Sequence, residues 1–335
     1  MVKAVALVSG GLDSILAAAV IKKLGVEVMG VHFRVPFVLR SAAAVAAHER
    51  EIEGQAQESG VPVRIIAIGE EFLEMVRHPK FGRGKNMNPC IDCRIFMLRK
   101  AKQYMEEQGA SFLITGEVVA QRPMSQHRVT MFSIDKEAGV EGLNLRPLSA
   151  RILPETIPEQ KGWVDRSKLF DLNGRGRRQQ IDMAVMMGIV HFPQPAGGCL
   201  LTDPIFSRRL RDLMKTGAYT MNDIDLLKVG RHFKIAPAVR LTVGRDEREN
   251  MRIQELAQPG DYILVPEEEV AGPTAVVRGV STESDRLSAC RVMSRYCDRG
   301  GRVAIGVMIT PVPEGERQEV MVEPAPESEL DRLRV

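Results

Sequence analysis

Five residues near the amino terminus have the types and the spacing of a phosphate-binding loop: Ser9, Gly10, Gly11, Asp13 and Ser14. An apolar run that predicts a buried strand precedes them, and an apolar run that predicts a helix follows. The glycines let the backbone approach a ligand where a Cβ would collide, and the N–H groups of a helix start suit a phosphate. The serines can donate hydroxyl hydrogen bonds, and Asp13 can hold Mg²⁺. A strand–turn–helix capped by serine is the plainer alternative, but capping alone does not explain two glycines and an acid.

The chain has five cysteines at uneven spacings, which argues against a disulfide framework: Cys90, Cys93, Cys199, Cys290 and Cys297. Cys90 and Cys93 are predicted at a helix start, whose dipole is expected to lower their pKa towards thiolate. Cys199 follows two glycines that permit close approach to a bulky group. The three thiols can hold a [4Fe–4S] cluster with one open iron, carry persulfide or disulfide chemistry, or bind zinc with His191 as fourth donor. The last two cysteines are seven residues apart on a predicted helix and indicate packing.

Predicted strands and helices alternate up to about residue 148, which indicates an α/β fold. We expect a doubly wound parallel sheet with its site at the carboxyl ends of the strands. His32 is expected at the end of the second strand, and Gly116 and Glu117 follow the fourth. These three residues are therefore predicted to lie near a bound nucleotide.

The length of 335 residues suits two domains. A first domain is expected over residues 1–212, a smaller α+β domain over 222–312, and a flexible tail over 313–335, where Pro and Glu occur without apolar periodicity. The net charge of +3 does not by itself indicate a nucleic-acid binder, so an RNA site would be a local basic patch. With no membrane-spanning run and no signal peptide evident, a cytoplasmic location is expected.

Four segments, residues 9–14, 85–93, 115–126 and 146–148, together resemble the PP-loop ATP pyrophosphatases that thiolate tRNA, the 4-thiouridine synthetases and their 2-thiouridylase relatives. This resemblance covers roughly residues 1–210. It implies an enzyme that uses ATP and Mg²⁺ to adenylate a uridine carbonyl in RNA, tRNA above all, with release of pyrophosphate. Sulfur from a cysteine desulfurase persulfide or from inorganic sulfide would then replace AMP. The three-cysteine arrangement is similar to that of cluster-dependent thiolases, which implies a [4Fe–4S] cluster, with zinc as the alternative.

The resemblance also implies a role for each matched residue. The catalytic residues would be Asp13, Cys90, Cys93 and Cys199, and the same three cysteines would be the metal ligands. The nucleotide would be bound by Ser9, Gly10, Gly11, Asp13, Ser14, His32, Gly116 and Glu117. RNA would be bound by Lys85, Gln121, Arg122, Gln126, Arg128, Arg175, Arg177 and Arg178, through contacts that weaken with salt.

Residues 243–250, 260–261 and 272–273 are similar to the RNA-binding domain of the NFACT family, over a shorter match. Arg245, Arg248 and Asn250 would then contact RNA, the alternative being an Arg–Glu network on a surface helix. Two other functions stay open from the sequence. One is different PP-loop chemistry, a cluster-dependent desulfurase or an amidating ligase. The other is a non-catalytic RNA-binding protein that holds ATP and zinc.

Overall fold

The computed structural model describes residues 1–37, 42–192, 199–217, 219–313 and 315–335. It divides into two compact units, Met1–Asp203 and Pro204–Val335. The division falls before the boundary expected at residue 212, because the helix Pro204–Met214 belongs to the second unit. None of the helices in the described part of the chain has the length and the apolar character needed to cross a membrane.

The described part of the first unit contains one sheet of five strands: β1 (Lys3–Leu7), β2 (Glu27–Arg34), β3 (Val63–Ala67), β4 (Phe112–Thr115) and β5 (Asn144–Leu145). Their order is β3-β2-β1-β4-β5, and every neighbouring pair is parallel. The chain runs outward from β1 through β2 to β3, and then continues on the other side of β1 with β4 and β5. The order therefore reverses between β1 and β4, which is where open α/β sheets bind ligands.

Helices cover both faces of this sheet: α1 (Leu12–Lys23), α2 (Ala42–Ser59), α3 (Glu70–Arg77), α4 (Cys90–Glu107), α5 (Arg128–Ala138), α6 (Ile157–Gln160) and α7 (Arg178–Met186). α1 packs on β1, β2 and β4 beside α2 and α7, whereas α4 packs on β1 and β4 beside α3 and α5. α1 is buried on nearly all sides because Leu, Ile, Ala and Val fill most of its positions. The predicted doubly wound α/β sheet is confirmed, and the loop between β1 and α1 is fixed by two core elements.

The described part of the second unit contains a separate antiparallel sheet: β6 (Arg231–Ala236), β7 (Val239–Val243), β8 (Tyr262–Pro266), β9 (Ala275–Arg278), β10 (Ile305–Pro311) and β11 (Gln318–Val322). The strand order is β11-β10-β8-β9-β7-β6. Its helices are α8 (Pro204–Met214), α9 (Met221–Leu227), α10 (Glu247–Leu256), α11 (Glu283–Ser294) and α12 (Glu327–Leu333). Cys290 on α11 is buried in the core of this unit and Cys297 packs against that core, so the α+β class and the packing of both cysteines agree with the sequence.

The end of the chain differs from the loose tail that the sequence predicts over residues 313–335. β11 pairs with β10 over five residues, and α12 buries Leu330. Val322, Ala325 and Leu330 belong to the core of the second unit. The Pro and Glu content of this segment hides these apolar positions, whose burial holds the segment in place.

Candidate active site

The loop predicted to bind phosphate joins β1 to α1 at the carboxyl edge of the sheet. Gly10 has a φ of +81°, a left-handed conformation that glycine adopts without strain. Ser14 donates a hydrogen bond of 2.7 Å from its hydroxyl to the carbonyl oxygen of Gly11, and the N–H of Ser9 donates to the Ser14 hydroxyl over 3.1 Å. Gly11 is the N-cap of α1 and offers no side-chain cap to the first turn. The N–H groups of Leu12 and Asp13 thus meet no capping side chain and suit an anion, while the N–H of Ser14 donates to the carbonyl oxygen of Gly11 over 3.1 Å.

One face of α2 lies against this loop, which the sequence analysis did not foresee. Gln55 donates a hydrogen bond of 2.9 Å from Nε2 to the carbonyl oxygen of Gly10. A Cβ on Gly10 would lie 2.5 Å from Cε1 of His48 and 3.2 Å from Cγ1 of Ile52. The spacing of His48, Ile52 and Gln55, i, i+4 and i+7, was the available signal for one helix face.

Asp13, on the first turn of α1, faces a segment that follows β4. Nε2 of Gln121 donates a hydrogen bond of 2.9 Å to Oδ2 of Asp13. Oδ1 of Asp13 is buried and has no hydrogen-bond partner within the described ranges. Gly116 allows this approach, because a Cβ there would collide with the backbone of Asp13. A carboxylate oxygen that is buried without a donor fits Mg²⁺, a cation that prefers oxygen ligands.

Glu117 has a different position from the nucleotide contact that the resemblance implies. It is 2% exposed, its Oε1 accepts from Nε of Arg94 over 2.7 Å, and its Oε2 accepts from Nε of Arg146 over 2.9 Å. Arg146 in turn makes a two-pronged ion pair with Asp135. Burial opposes the charge of Glu117, but the two guanidinium groups outweigh it and lower its pKa to about 2. Glu117 therefore ties α4, through Arg94, to the end of β4.

His32 also differs from its expected place after the second strand, because β2 continues to Arg34 and encloses it. Its Nδ1 donates to the carbonyl oxygen of Val8 over 2.8 Å. Burial lowers the pKa of His32 and keeps the ring neutral. The ring lies edge-on to His48, with centroids 5.4 Å apart. His32 thus supports the backbone at the end of β1 rather than reaching outward to an adenosine.

The segment that carries Cys199 is docked onto the loop that precedes α4. The N–H of Met87 donates to the carbonyl oxygen of Leu201 over 2.9 Å, and the side chain of Asn86 donates to that of Thr202 over 2.7 Å. Asn86 has a φ of +61°, which asparagine tolerates better than most residues. These contacts bring Cys199 to the helix start that carries the other two cysteines. The two glycines before Cys199 lie outside the described residues.

The three thiols lie close enough for the charge of one to affect the pKa of another. Burial, followed by the charges of Cys199 and Cys90, raises the pKa of Cys93 to about 12. Burial likewise raises the pKa of Cys199 to about 11, and Cys90 adds to this. The expected lowering by the helix dipole is therefore wrong for the metal-free thiols, because desolvation outweighs it.

Cys90 has the most polar surroundings of the three. Burial raises its pKa as well, while the nearby guanidinium of Arg122 opposes the change. Nδ2 of Asn88 donates a hydrogen bond of 3.0 Å to its sulfur. An amide donor and a cation beside a sulfur favour its anionic form. Arg122 directly follows Gln121. Two adjacent residues therefore interact with Asp13, through a hydrogen bond, and with Cys90, through charge.

The described ranges contain no group of three His, Cys, Asp or Glu side chains arranged to hold a metal ion. Thiolates are the ligands that zinc and iron–sulfur clusters prefer. The three cysteines here are not arranged to coordinate one metal ion together. His191, the fourth donor considered for zinc, instead pairs with Glu58 of α2. The metal ligands therefore stay predictions.

The residues predicted to bind RNA divide into two groups. Exposed cations suited to phosphate are Lys85, Arg122, Arg128, Arg175 and Arg178, although Arg128 also donates to the carbonyl oxygen of Ile152. Gln121 is engaged with Asp13, Gln126 is buried, and Arg177 is partly buried. In the second unit Arg248 is exposed, whereas Arg245 pairs with Glu249. Gln126 consequently lies in the interior of the segment formed by residues 118–126 (the 118–126 segment) and not on a surface that RNA could contact.

Two family models match this chain. Residues 1–149 match the model described as "Thiamine biosynthesis protein (ThiI)", and residues 230–334 match the "NFACT protein RNA binding domain". Among curated proteins, the chain is 34% identical over 116 residues to the tRNA-specific 2-thiouridylase MnmA of Syntrophotalea carbinolica, covering 32% of each chain. It is 26% identical over 144 residues to MnmA of Brucella ovis, covering 40% of this chain and 36% of the relative. The chain thus spans about a third of the length of these relatives.

Solved structures with a similar fold include a 4-thiouridine synthetase in complex with RNA and ATP, with 22% identity and a TM-score of 0.41 over 68% of this chain and 52% of that one. The U34-tRNA thiolase NcsA of Methanococcus maripaludis, solved with its [4Fe–4S] cluster, has 13% identity and a TM-score of 0.34 over 67% and 70%. By the family models and the curated relatives, the amino-terminal part of this chain is similar to the ThiI and thiouridylase proteins and its carboxy-terminal part to the NFACT RNA-binding domain, which confirms both resemblances found in the sequence.

Proposed function

We propose that this protein is an ATP-dependent sulfurtransferase that thiolates uridine in RNA, with tRNA as the substrate class. The observation that carries the proposal is that one short segment touches both halves of such a reaction. Gln121 contacts Asp13 at the nucleotide loop, and the next residue, Arg122, lies near enough to Cys90 for its charge to lower the pKa of that thiol. A base held between the loop and the cysteines would be within reach of a phosphate and of a sulfur atom in turn.

The first step is the activation of a poor leaving group. The carbonyl oxygen of uridine attacks the α-phosphorus of ATP, and pyrophosphate leaves. The N–H groups at the start of α1 and the hydroxyls of Ser9 and Ser14 stabilise the charge that develops on the departing phosphates. Asp13 would hold a Mg²⁺ ion, which would supply positive charge to the same oxygens. Oδ1 of Asp13, which is buried and has no hydrogen-bond partner within the described ranges, supports this role.

The second step replaces oxygen by sulfur. A sulfur nucleophile delivered at Cys90, Cys93 or Cys199 attacks the adenylated ring carbon, and AMP leaves with the former carbonyl oxygen. Inorganic sulfide supplies this sulfur directly and loses its proton. A persulfide on one of the cysteines, loaded by a cysteine desulfurase, supplies its outer sulfur instead; a second cysteine thiol then breaks the S–S bond, releases the thiolated uridine and forms a disulfide that an external thiol reduces. A [4Fe–4S] cluster held by the three cysteines would supply an iron with an open position for sulfide, with zinc as the alternative occupant. Arg122 and Asn88 stabilise negative charge on the sulfur of Cys90.

RNA would reach this edge of the sheet along exposed cations. Lys85 lies on the loop before Cys90, Arg122 lies beside it, and Arg175 and Arg178 lie at the start of α7. Lysine and arginine at such positions bind the phosphate backbone in a salt-dependent way. The match of residues 230–334 to an RNA-binding domain supports a second contact with the same substrate.

The experiment that tests the proposal uses the purified chain, handled without oxygen, with ATP, Mg²⁺, sulfide and unmodified tRNA. Nucleoside mass spectrometry should find one thiolated uridine, formed together with AMP and pyrophosphate. Reactions without ATP and reactions with Asp13→Asn serve as controls. The proposal is wrong when tRNA stays unmodified and no pyrophosphate forms under conditions in which the protein carries iron and sulfide. Metal analysis distinguishes a brown iron–sulfur protein from a colourless zinc protein.

A further inference from the structure

Gln55 of α2 is a buried amide with only half of its hydrogen bonds made. Its side chain is 1% exposed, and Nε2 donates to the carbonyl oxygen of Gly10 over 2.9 Å. Oε1 is buried and has no partner within the described ranges. A buried amide oxygen without a donor is unfavourable, so a residue chosen only for packing would be apolar here. The retained amide therefore points to a role for the bond with Gly10.

That bond fixes the orientation of the peptide between Gly10 and Gly11. A trans peptide holds its C=O and N–H on opposite sides, so a carbonyl directed at Gln55 turns the N–H of Gly11 away from α2. On that side the N–H meets the hydroxyl of Ser9 over 3.3 Å. The next carbonyl, that of Gly11, is in turn bound by the hydroxyl of Ser14 over 2.7 Å.

The consequence is electrostatic. The two carbonyl oxygens of the glycine pair carry partial negative charge and would repel a phosphate if they faced it. Gln55 and Ser14 each donate a hydrogen bond to one of these oxygens and so direct both away from the anion. The anion can then meet the N–H groups at the start of α1 and the Ser9 hydroxyl that lies beside the N–H of Gly11. His48 and Ile52, on the same face of α2, occupy the space that a side chain at position 10 would need. Side chains of α2 thus help to fix the conformation of the loop.

We propose that Gln55 is a positioning residue that prepares the glycine loop for the β- and γ-phosphates of ATP. This inference rests on the proposed function, since it names how the same site receives its triphosphate. It predicts an effect limited to ligands that carry those phosphates. AMP, which lacks them, should bind equally well with or without the amide.

The experiment compares nucleotide binding by the full chain and by two near-isosteric variants, Gln55→Met and Gln55→Glu, using isothermal titration calorimetry. Gln57→Met and Gln57→Glu are the matched controls, because Gln57 lies on the same helix but is exposed. Loss of one hydrogen bond should raise the Kd for ATP about tenfold in Gln55→Met. Gln55→Glu should lose more, because a carboxylate has no proton to donate and adds negative charge below the loop. The Kd for AMP and the unfolding temperature should match those of the Gln57 controls.

Two results would overturn the inference. One is a Kd for ATP that is the same in the Gln55 variants and in their Gln57 controls. The other is a parallel loss of ATP and AMP binding, or a lowered unfolding temperature in both variants, which would mean that Gln55 only supports the fold. A wild-type chain that binds ATP but fails to thiolate RNA would reject the proposed function and leave the role of Gln55 standing. A wild-type chain that binds neither nucleotide would reject both.

Discussion

The side-chain amide of Gln121 and the carboxylate of Asp13 are 2.9 Å apart, although 108 residues separate them in the sequence. Ala120, immediately before Gln121, has a φ of +61°, an uncommon conformation for a residue other than glycine. Such strain occurs where the surrounding structure enforces a particular orientation. Here it directs Gln121 to the nucleotide loop and leaves Arg122 beside Cys90. The 118–126 segment thus connects the two ends of the proposed reaction.

Asp13→Asn should lower the rate of pyrophosphate release at least about 100-fold, because an amide neither neutralises phosphate oxygens nor holds Mg²⁺ as a carboxylate does. The fold should be unchanged, since Asn can still pair with Gln121. Pyrophosphate release from ATP in the presence of tRNA measures the effect. Asp182→Asn, an exposed position on α7, is the matched control. A variant at Asp13 with normal turnover would show that the loop does not serve catalysis.

Arg122→Gln should slow the alkylation of Cys90 in the metal-free protein. Arg122 opposes the rise in the pKa of Cys90, so its removal leaves less thiolate at neutral pH, and the thiolate is the species that reacts. We expect a decrease of about threefold, typical of one exposed charge. Iodoacetamide labelling followed by peptide mass spectrometry gives the rate. Arg178→Gln should leave that rate unchanged, and equal rates in both variants would contradict the assignment of Arg122.

Much of the nucleotide loop could be predicted from the sequence because its chemistry is local. Ser9, Gly10, Gly11 and Ser14 act within one turn of chain, and a strand–glycine–helix pattern fixes their geometry. Gln55 could not be predicted in the same way, because its partner lies 45 residues away. Only the pairing of α2 with the loop, a property of the fold, brings the two together.

Glu117 also shows that distant partners cannot be read from the sequence, here for a residue that the sequence analysis did single out. Its position after β4 places it at the carboxyl edge of the sheet, but position does not tell which way a side chain points. Its partners, Arg94 and Arg146, are 23 and 29 residues away in the sequence. Only the fold could show that the carboxylate faces these two cations in the interior.

Glu117→Gln should destabilise the first unit by about 3–5 kcal/mol at pH 7, because the buried Arg146 and the half-buried Arg94 would lose the carboxylate that they share. The pKa of Glu117 is depressed to about 2 in the fold, so its contribution is present above its unfolded pKa near 4.5 and is lost as the pH falls towards 2. The difference between variant and wild type should therefore shrink over that range. Trp163, the single tryptophan, packs on the core of this unit and reports its unfolding. Glu141→Gln, an exposed change, is the control, and an equal loss there would refute the network.

Cys199→Ala should separate the two chemical steps. The cysteine lies away from the glycine loop in sequence and contributes only sulfur chemistry to the proposed reaction, so pyrophosphate release should continue near the wild-type rate. Formation of thiolated uridine should fall to background. Cys297→Ala, in the second unit, should affect neither measurement. If the Cys199→Ala protein still thiolated tRNA, the cysteine would have only a packing role and no part in sulfur transfer.

His232 gives the second unit a pH dependence of its own. Nε2 donates to the carbonyl oxygen of Val229 over 2.7 Å, and Nδ1 accepts from the hydroxyl of Thr242 over 3.4 Å, a pattern that only the neutral ring can make. Burial, with Arg209 and other nearby cations, lowers its pKa to about 3. Between pH 3 and 6.5 the unfolded chain therefore binds a proton that the folded chain does not, so stability falls as the pH drops below 6.5.

The loss between pH 7.5 and 5.5 should be about 1 kcal/mol from this residue alone. His232→Gln, whose amide can still donate to Val229, should lack that part of the pH dependence. Hydrogen–deuterium exchange of peptides from β6 and β7 in moderate urea, corrected for intrinsic rates, measures the stability of this unit within the full chain. His127→Gln, an exposed change in the first unit, should retain the wild-type behaviour. If His232→Gln retained it as well, other groups would have to account for the acid sensitivity, and the buried neutral imidazole would not be its cause.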